Sequence, residues 1–228
     1  MPTQKNQNKP DQNAAKVLIV DDHPIVRQGL SELIDQETDL KVSAQAENAN
    51  QALNAIKETP PDIAIVDIAL KETSGIELIK DIKAQYPQLP VLVLSMHDES
   101  LYAERVLRAG AKGYIMKQEA TEDVITAIKK VLEGRIYLSR KMTEKMMSKL
   151  VGRTQEPTSP VERLSDRELE VFLLIGQGHS TRQIADKLFL SIKTIETYRA
   201  HLKEKLDLES SAKLLQYAIQ WVASQDKT

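Results

Sequence analysis

The chain has 228 residues, a length that suits two modest domains. Hydrophobic residues make up 41% and charged residues 28%, so packed cores are expected and a disordered chain is excluded. There is no cysteine, which removes thiolate metal sites, cysteine nucleophiles and disulfide scaffolds, and a formal net charge of -2 argues against coating nucleic acid by bulk attraction.

In chain order, residues 1–15 are polar and lack the apolar stretch of a signal peptide, so they read as a disordered leader. No run approaches membrane-spanning length, and a cytoplasmic protein with no membrane partner is expected. Short apolar runs at 16–20, 40–46, 63–66, 91–94 and 113–116 then alternate with helical periodicity at 25–36, 51–58, 75–85, 101–109 and 122–133. This is the pattern of an α/β domain with a parallel sheet. His23 reads as a first-turn residue with Pro24 at the start of the first helix, and Ser74 with Glu77 has capping-box spacing. The first domain is expected to span 16–135. A linker at 136–160 follows, with a short polar helix at 139–150 that carries Met142, Met146 and Met147 and then a proline-bearing stretch. Residues 161–228 read as a small all-helical domain. Ser165 with Glu168 and Ser180 with Gln183 mark two helix starts, Ser191 caps a third helix, and a fourth runs from about 210 to 223.

Ligands of a parallel sheet lie beyond the carboxyl ends of its strands. There the first strand runs into Asp21 and Asp22, the third into Asp67, the fourth into Ser95 and the fifth into Lys117. Clustered carboxylates repel, so they hold a proton or bind a cation, and their oxygens suit Mg2+. Because Mg2+ takes one or two carboxylates plus waters and phosphate oxygens, a further carboxylate is left as a nucleophile toward a phosphoryl group. Asp67 fits that role, with Lys117 neutralising charge and Ser95 donating a hydrogen bond after transfer. Any one of these aspartates alone is more simply a helix N-cap; their joint occurrence is what points to a site.

Residues 16–135 resemble a receiver domain. The matching residues are the Asp21 and Asp22 pair, Asp67 followed eight positions later by Gly75, Ser95, and Lys117 at the end of Gly113-Tyr114-Ile115-Met116-Lys117. The resemblance implies a flavodoxin-like five-stranded parallel sheet with Asp67 as phosphoacceptor. It also implies Mg2+ held by Asp22, Asp67 and the Ala69 backbone carbonyl, with Asp21 supporting the metal through water, and Ser95 with Tyr114 as the switch pair. The chain departs from the family at Lys71, where receivers commonly carry a proline.

In the last domain Ile192, Ile195, Leu202 and Leu206 share one helical face and are expected to pack inward. Lys193, Thr197, Ala200 and Glu204 then face outward, flanked by Glu196 and His201, a small and polar face that fits a DNA major groove behind a helix at 181–188. An ordinary helical bundle shows the same periodicity. The run from Leu164-Ser165-Asp166-Arg167-Glu168 through Leu190-Ser191-Ile192-Lys193-Thr194-Ile195-Glu196-Thr197-Tyr198 resembles the LuxR-type helix-turn-helix, and with the receiver it places the chain in the NarL/FixJ class of response regulators. The resemblance implies a homodimer on promoter DNA and a sensor histidine kinase as phosphoryl donor.

Residues 179–205 hold six Lys or Arg against three acids, a local excess suited to phosphates. Lys193, Thr194, Arg199, Lys203 and Lys205 are candidates for the DNA backbone, and Glu196, Thr197 and Ala200 for base edges. Glu196 reads equally as an acceptor from a cytosine amino group or as a solvated acid, and Arg199 as a partner within the domain. On the last helix Leu214, Leu215, Tyr217, Ala218 and Trp221 read as core or as dimer contacts, with Leu214, Tyr217, Ala218 and Trp221 the dimer candidates. The expectation is a phosphorylation-controlled transcription factor rather than a turnover enzyme. The alternatives are a regulator indifferent to phosphorylation and an aspartyl-phosphate phosphatase; such phosphatases carry a second Asp where this chain has Ala69.

Overall fold

A computed structural model describes residues 14–70, 74–150 and 160–225. Lys71, the leader up to residue 13 and the linker stretch 151–159 lie outside the described residues. The chain divides into two compact units, Met1–Met142 and Thr143–Thr228.

The first unit alternates strands β1 (Ala15–Val20), β2 (Leu40–Ala46), β3 (Ile63–Val66), β4 (Val91–Ser95) and β5 (Gly113–Met116) with helices α1 (Pro24–Asp35), α2 (Ala49–Glu58), α3 (Gly75–Gln85), α4 (Glu99–Ala109) and α5 (Ala120–Leu132). All four strand pairings are parallel and the order is β2-β1-β3-β4-β5. The two outer strands are thus β2 and β5. Every residue of β3 and β4 is buried, as a sheet covered on both faces requires. On one face Val17, Ile19, Ile63, Ile65, Leu92, Leu94 and Ile115 form a single core with Leu30 and Ile34 of α1 and with Val124, Ala127, Ile128 and Val131 of α5. The alternate residues, Leu18, Val20, Ala64, Val66, Val91 and Val93, are buried on the opposite face.

Local signals explain most helix starts. Pro24 occupies the first turn of α1 after His23, whose side chain makes no capping bond. Ser74 caps α3 by accepting from the Ile76 amide, whereas Glu77 turns away to pair with Lys80 at 2.8 Å. The expected capping box is therefore only half built, because a nearby ammonium competes for the glutamate. Helix α2 begins at Ala49, two residues before the expected start, because Asn48 accepts from the Gln51 amide.

Beyond α5 the chain stays attached to the first unit. Tyr137 forms a parallel bridge with Gly113 on the outer side of β5: its amide donates to Lys112 and its carbonyl accepts from Tyr114, each at 2.9 Å. The first compact unit runs to Met142 and so takes in this segment. Helix α6 (Arg140–Leu150) follows.

The second unit holds a short 3-10 turn (Pro160–Arg163) and helices α7 (Asp166–Gly176), α8 (Thr181–Leu188), α9 (Ile192–Lys205) and α10 (Ser211–Gln225). Both expected capping boxes, Ser165 with Glu168 and Ser180 with Gln183, are complete. Helices α7 and α10 pack closely, since a Cβ on Gly176 would lie 2.6 Å from the Ala218 carbonyl oxygen. Phe172 of α7 meets Tyr217 and Trp221 at ring distances of 5.9 and 5.6 Å. Leu214 and Ala218 are fully buried. All four dimer candidates thus face α7 or the core, and the large apolar residues that α10 leaves exposed are Leu215 and Ile219.

Candidate functional site

The strand order reverses between β1 and β3, and Asp21 and Asp67 follow those two strands directly. Their backbones are fixed by the ladder: the Asp21 amide donates to Ala46 and the Asp67 amide to Val20. Between them sits Lys117, carried by β5, with Nζ 2.6 Å from both Asp21 Oδ2 and Asp67 Oδ2. All three side chains are at least nine-tenths buried. The second Asp67 oxygen, Oδ1, accepts from the Ala69 amide at 3.1 Å. Burial raises the Asp67 carboxyl above its ordinary value; Lys117 opposes this and Asp21 reinforces it. For Lys117, burial alone would lower the ammonium, but the Asp67 and Asp21 carboxylates outweigh it and the group lies above its ordinary value. Two carboxylates around one ammonium leave a net negative pocket.

Gly75 fits the loop that carries Asp67. Its amide donates to Ile68, and a Cβ there would fall 2.0 Å from the Asp67 carbonyl oxygen. The eight-residue spacing seen in the sequence is the span over which α3 returns to touch the end of β3.

His23 takes a larger part than a first-turn residue. Its amide donates to Asp21 Oδ1 at 2.8 Å, and Nδ1 lies 3.1 Å from that atom and 2.7 Å from Asp22 Oδ1. One ligand atom from each of Asp21, Asp22, His23 and Asp67 falls within 4.8 Å of the others. Three carboxylates converging on one point fit Mg2+, a hard cation with oxygen ligands. Arg27, which the sequence did not single out, donates to the Asp21 carbonyl at 2.6 Å and braces the turn.

At the far side, Ser95 ends β4 fully buried, and its hydroxyl accepts from the His97 amide at 3.1 Å. Tyr114 of β5 is also buried, and its hydroxyl donates to the His97 carbonyl at 2.7 Å. Burial pushes the phenol above its ordinary value, with the charges of Asp67, Asp98 and Glu99 adding to the rise. His97 is thus held on both its amide and its carbonyl, a link invisible in the sequence because it runs through backbone atoms.

In the second unit Phe189 closes α8 in the left-handed region at φ 54°, which turns the chain sharply into α9. Ser191 accepts from the Thr194 amide at 3.0 Å, and its hydroxyl meets that of Thr194 at 2.8 Å. Ile195, Leu202 and Leu206 are buried as expected, but Ile192 is 48% exposed. It occupies the first position of α9, beyond the reach of the core. Lys193, Glu196, Thr197, Ala200, His201 and Lys205 are exposed, while Thr194, Arg199 and Lys203 are half-buried. The Thr197 hydroxyl donates to the Lys193 carbonyl at 3.0 Å. Lys205 is engaged within the domain: Nζ lies 2.7 Å from Glu168 Oε2. Burial alone would raise Glu168, but Lys205 and the Ser165 backbone and side chain outweigh it and hold the carboxyl below its ordinary value. His201 Nδ1 lies 3.9 Å from the same carboxylate.

Comparisons with known proteins identify both units. Residues 17–129 match the response regulator receiver domain, and residues 162–218 match the bacterial regulatory proteins of the luxR family. The chain belongs to the NarL/FixJ class of two-component response regulators and is a DNA-binding transcription regulator. It is 35% identical to the oxygen regulatory protein NreC of Staphylococcus haemolyticus over 209 residues, covering 90% of this chain and 96% of NreC. Among solved structures it is similar to RcsB of Salmonella enterica serovar Typhimurium bound to promoter rprA in the presence of phosphomimetic BeF3-. That match has 30% identity and a TM-score of 0.63, and covers 90% of this chain and 98% of RcsB. Two RcsB dimers bound to two parallel DNAs match with 30% identity, the same coverage and a TM-score of 0.56. No helix among the described residues is long and apolar enough to cross a membrane.

Proposed function

We propose that Asp67 is the phosphoacceptor and that its modification by a sensor histidine kinase in the cytoplasm controls promoter binding by the second unit. The observation that carries this reading is the buried contact of Asp67 Oδ2 with Lys117 Nζ at 2.6 Å, beside Asp21 and Asp22 at the strand ends. An Asp67 carboxylate oxygen attacks the phosphorus of the donor phosphohistidine. The new O–P bond forms as the N–P bond breaks, and the donor imidazole leaves with the electron pair and takes up a proton. Lys117 neutralises charge on the incoming group, and Ser95, with Tyr114 behind it, turns its hydroxyl to a phosphoryl oxygen. Asp22, Asp67 and the Ala69 carbonyl, with Asp21 through water, would hold Mg2+, which would supply further charge neutralisation. The His23 imidazole lies against both Asp21 and Asp22, at the edge of this cluster.

On DNA, Lys193, Thr194, Arg199 and Lys203 contact phosphates, while Glu196, Thr197 and Ala200 meet base edges with His201 on the flank. Lys205 reaches a phosphate only by leaving Glu168. The protein acts as a homodimer there, as the RcsB complex does. The test is incubation with Mg2+ and acetyl phosphate followed by DNA retention for wild type and Asp67→Ala. Labelling and a gain in retention for wild type alone are expected; no labelling, or equal gains, overturns the reading. Genome-wide capture of bound DNA then identifies the promoters.

A further inference from the structure

The segment after α5 is built onto the part of the first unit that moves if Ser95 and Tyr114 respond to Asp67. Two observations show that it is a fitted contact. A Cβ at Gly113 would stand 2.8 Å from Leu92 Cδ1, 2.9 Å from the Tyr137 carbonyl oxygen and 3.1 Å from the Tyr137 Cβ, so the glycine makes room for Tyr137 as well as for Leu92. The amide of Ser139 donates to Glu99 Oε1 at 2.8 Å, which ties the same segment to the first residue of α4. Tyr137 is held further by Lys130, whose Nζ lies 5.2 Å from the ring centroid. Ser139 in turn accepts from the Met142 amide at 3.1 Å, and Met142 is buried.

These bonds run from Ser95, at the far side of the pocket, to the linker. Ser95 Oγ accepts from the His97 amide, and the His97 carbonyl accepts from Tyr114 Oη. The Tyr114 amide donates to the Tyr137 carbonyl. Glu99, two residues after His97, accepts from Ser139, which accepts from Met142 at the start of α6. The Ser95 hydroxyl can donate to a phosphoryl oxygen and still accept from the His97 amide; only a displacement of Oγ itself toward that oxygen would break the bond and free the 95–99 segment, which includes Glu99.

We propose that residues 136–142 form a strap, anchored on β5 through Tyr137 and on α4 through Glu99 and Ser139, that the phosphorylated pocket loosens to pass its state to the linker helix. This rests on the reading of Asp67 as phosphoacceptor. It has two discrete arrangements, Ser139 held or released, as a coupling element requires.

Hydrogen exchange of the strap in the full chain tests it, alongside phosphoryl uptake by intact mass and DNA retention on the same samples. Phosphorylation with acetyl phosphate and Mg2+ should speed exchange at the Tyr137 and Ser139 amides by about fivefold, the lower end of ordinary coupling between sites. Glu99→Ala should show the fast exchange without phosphorylation and lose most of the phosphorylation-dependent change in DNA retention, with normal uptake. Glu99→Gln, which keeps the acceptor oxygen, should behave as wild type. Normal uptake with unchanged strap exchange, or a Glu99→Ala variant that still responds fully, overturns the strap alone. A wild type that takes up no phosphoryl group overturns the Asp67 reading and the strap with it.

Discussion

The acidic pocket and the recognition helix hold their polar residues in opposite ways. In the pocket Asp21, Asp67 and Lys117 are buried and answer one another at 2.6 Å, so their geometry is complete before any ligand arrives. On α9 most of the residues that would meet DNA are exposed or half-buried, and the polar contacts made there serve the domain, Thr197 bonding the Lys193 carbonyl and Lys205 pairing with Glu168. The lesson is that the pocket is preorganised by the sheet, whereas the recognition face depends on a partner for its bonds. Substitutions in the first should therefore act in steps of all or nothing, and substitutions in the second by degrees.

The largest effect expected is at the pocket itself: Asp67→Ala should take up no phosphoryl group, as read by intact mass. Next is Gly75→Ala, where the added methyl meets backbone and cannot be accommodated by a side-chain rotation. It should cost about 1–3 kcal/mol, the range for overpacking, and slow phosphoryl uptake. Denaturant unfolding of the first unit reads the loss, and stability equal to wild type would show that α3 need not touch β3.

In the second unit Glu168→Ala should cost about 2 kcal/mol, since it removes half of a capping box and the Lys205 partner together. The pH dependence follows from the same residue. Glu168 is held below its ordinary value in the fold, so its contribution is complete at neutral pH and fades as the pH falls through its folded value. Glu168→Gln should flatten the acid limb of the unfolding profile, and an unchanged acid limb would show that the ion pair contributes nothing. The smallest effects belong to α9. Lys193→Ala should weaken binding evenly across sequences and reduce the salt slope by about one unit, whereas Glu196→Gln should alter preference at one base position by about 1–3 kcal/mol. Equal salt slopes, or an unaltered preference, would remove these residues from the interface.

The sheet and its pocket were legible in the sequence because both depend on short-range rules. The apolar runs of β3 and β4 mark strands buried on both faces, and the end of each run fixes where the functional side chain lies, Asp67 just past β3 and Ser95 at the end of β4. Tertiary competition was harder to see. Glu77 had capping-box spacing but paired with Lys80, and Ile192 had core spacing but lay too near the helix start to be covered. Periodicity on α10 could not distinguish the stripe that meets Phe172 from the neighbouring stripe of Leu215 and Ile219, because both are apolar. Tyr137 was missed for another reason: one bridge residue after a helix leaves no periodic trace.

That bridge also bears on how the molecule avoids sticking to itself. An outer strand presents a row of unpaired amides and carbonyls that another copy can extend. Beside β5, Tyr137 takes the Lys112 carbonyl and the Tyr114 amide, so part of that row is already spoken for. A fragment ending at residue 135 would uncover it, and should self-associate at concentrations where a fragment ending at Met142 remains a single species in sedimentation. The few residues past α5 are then an edge guard, and any shortening of the linker has to begin beyond them.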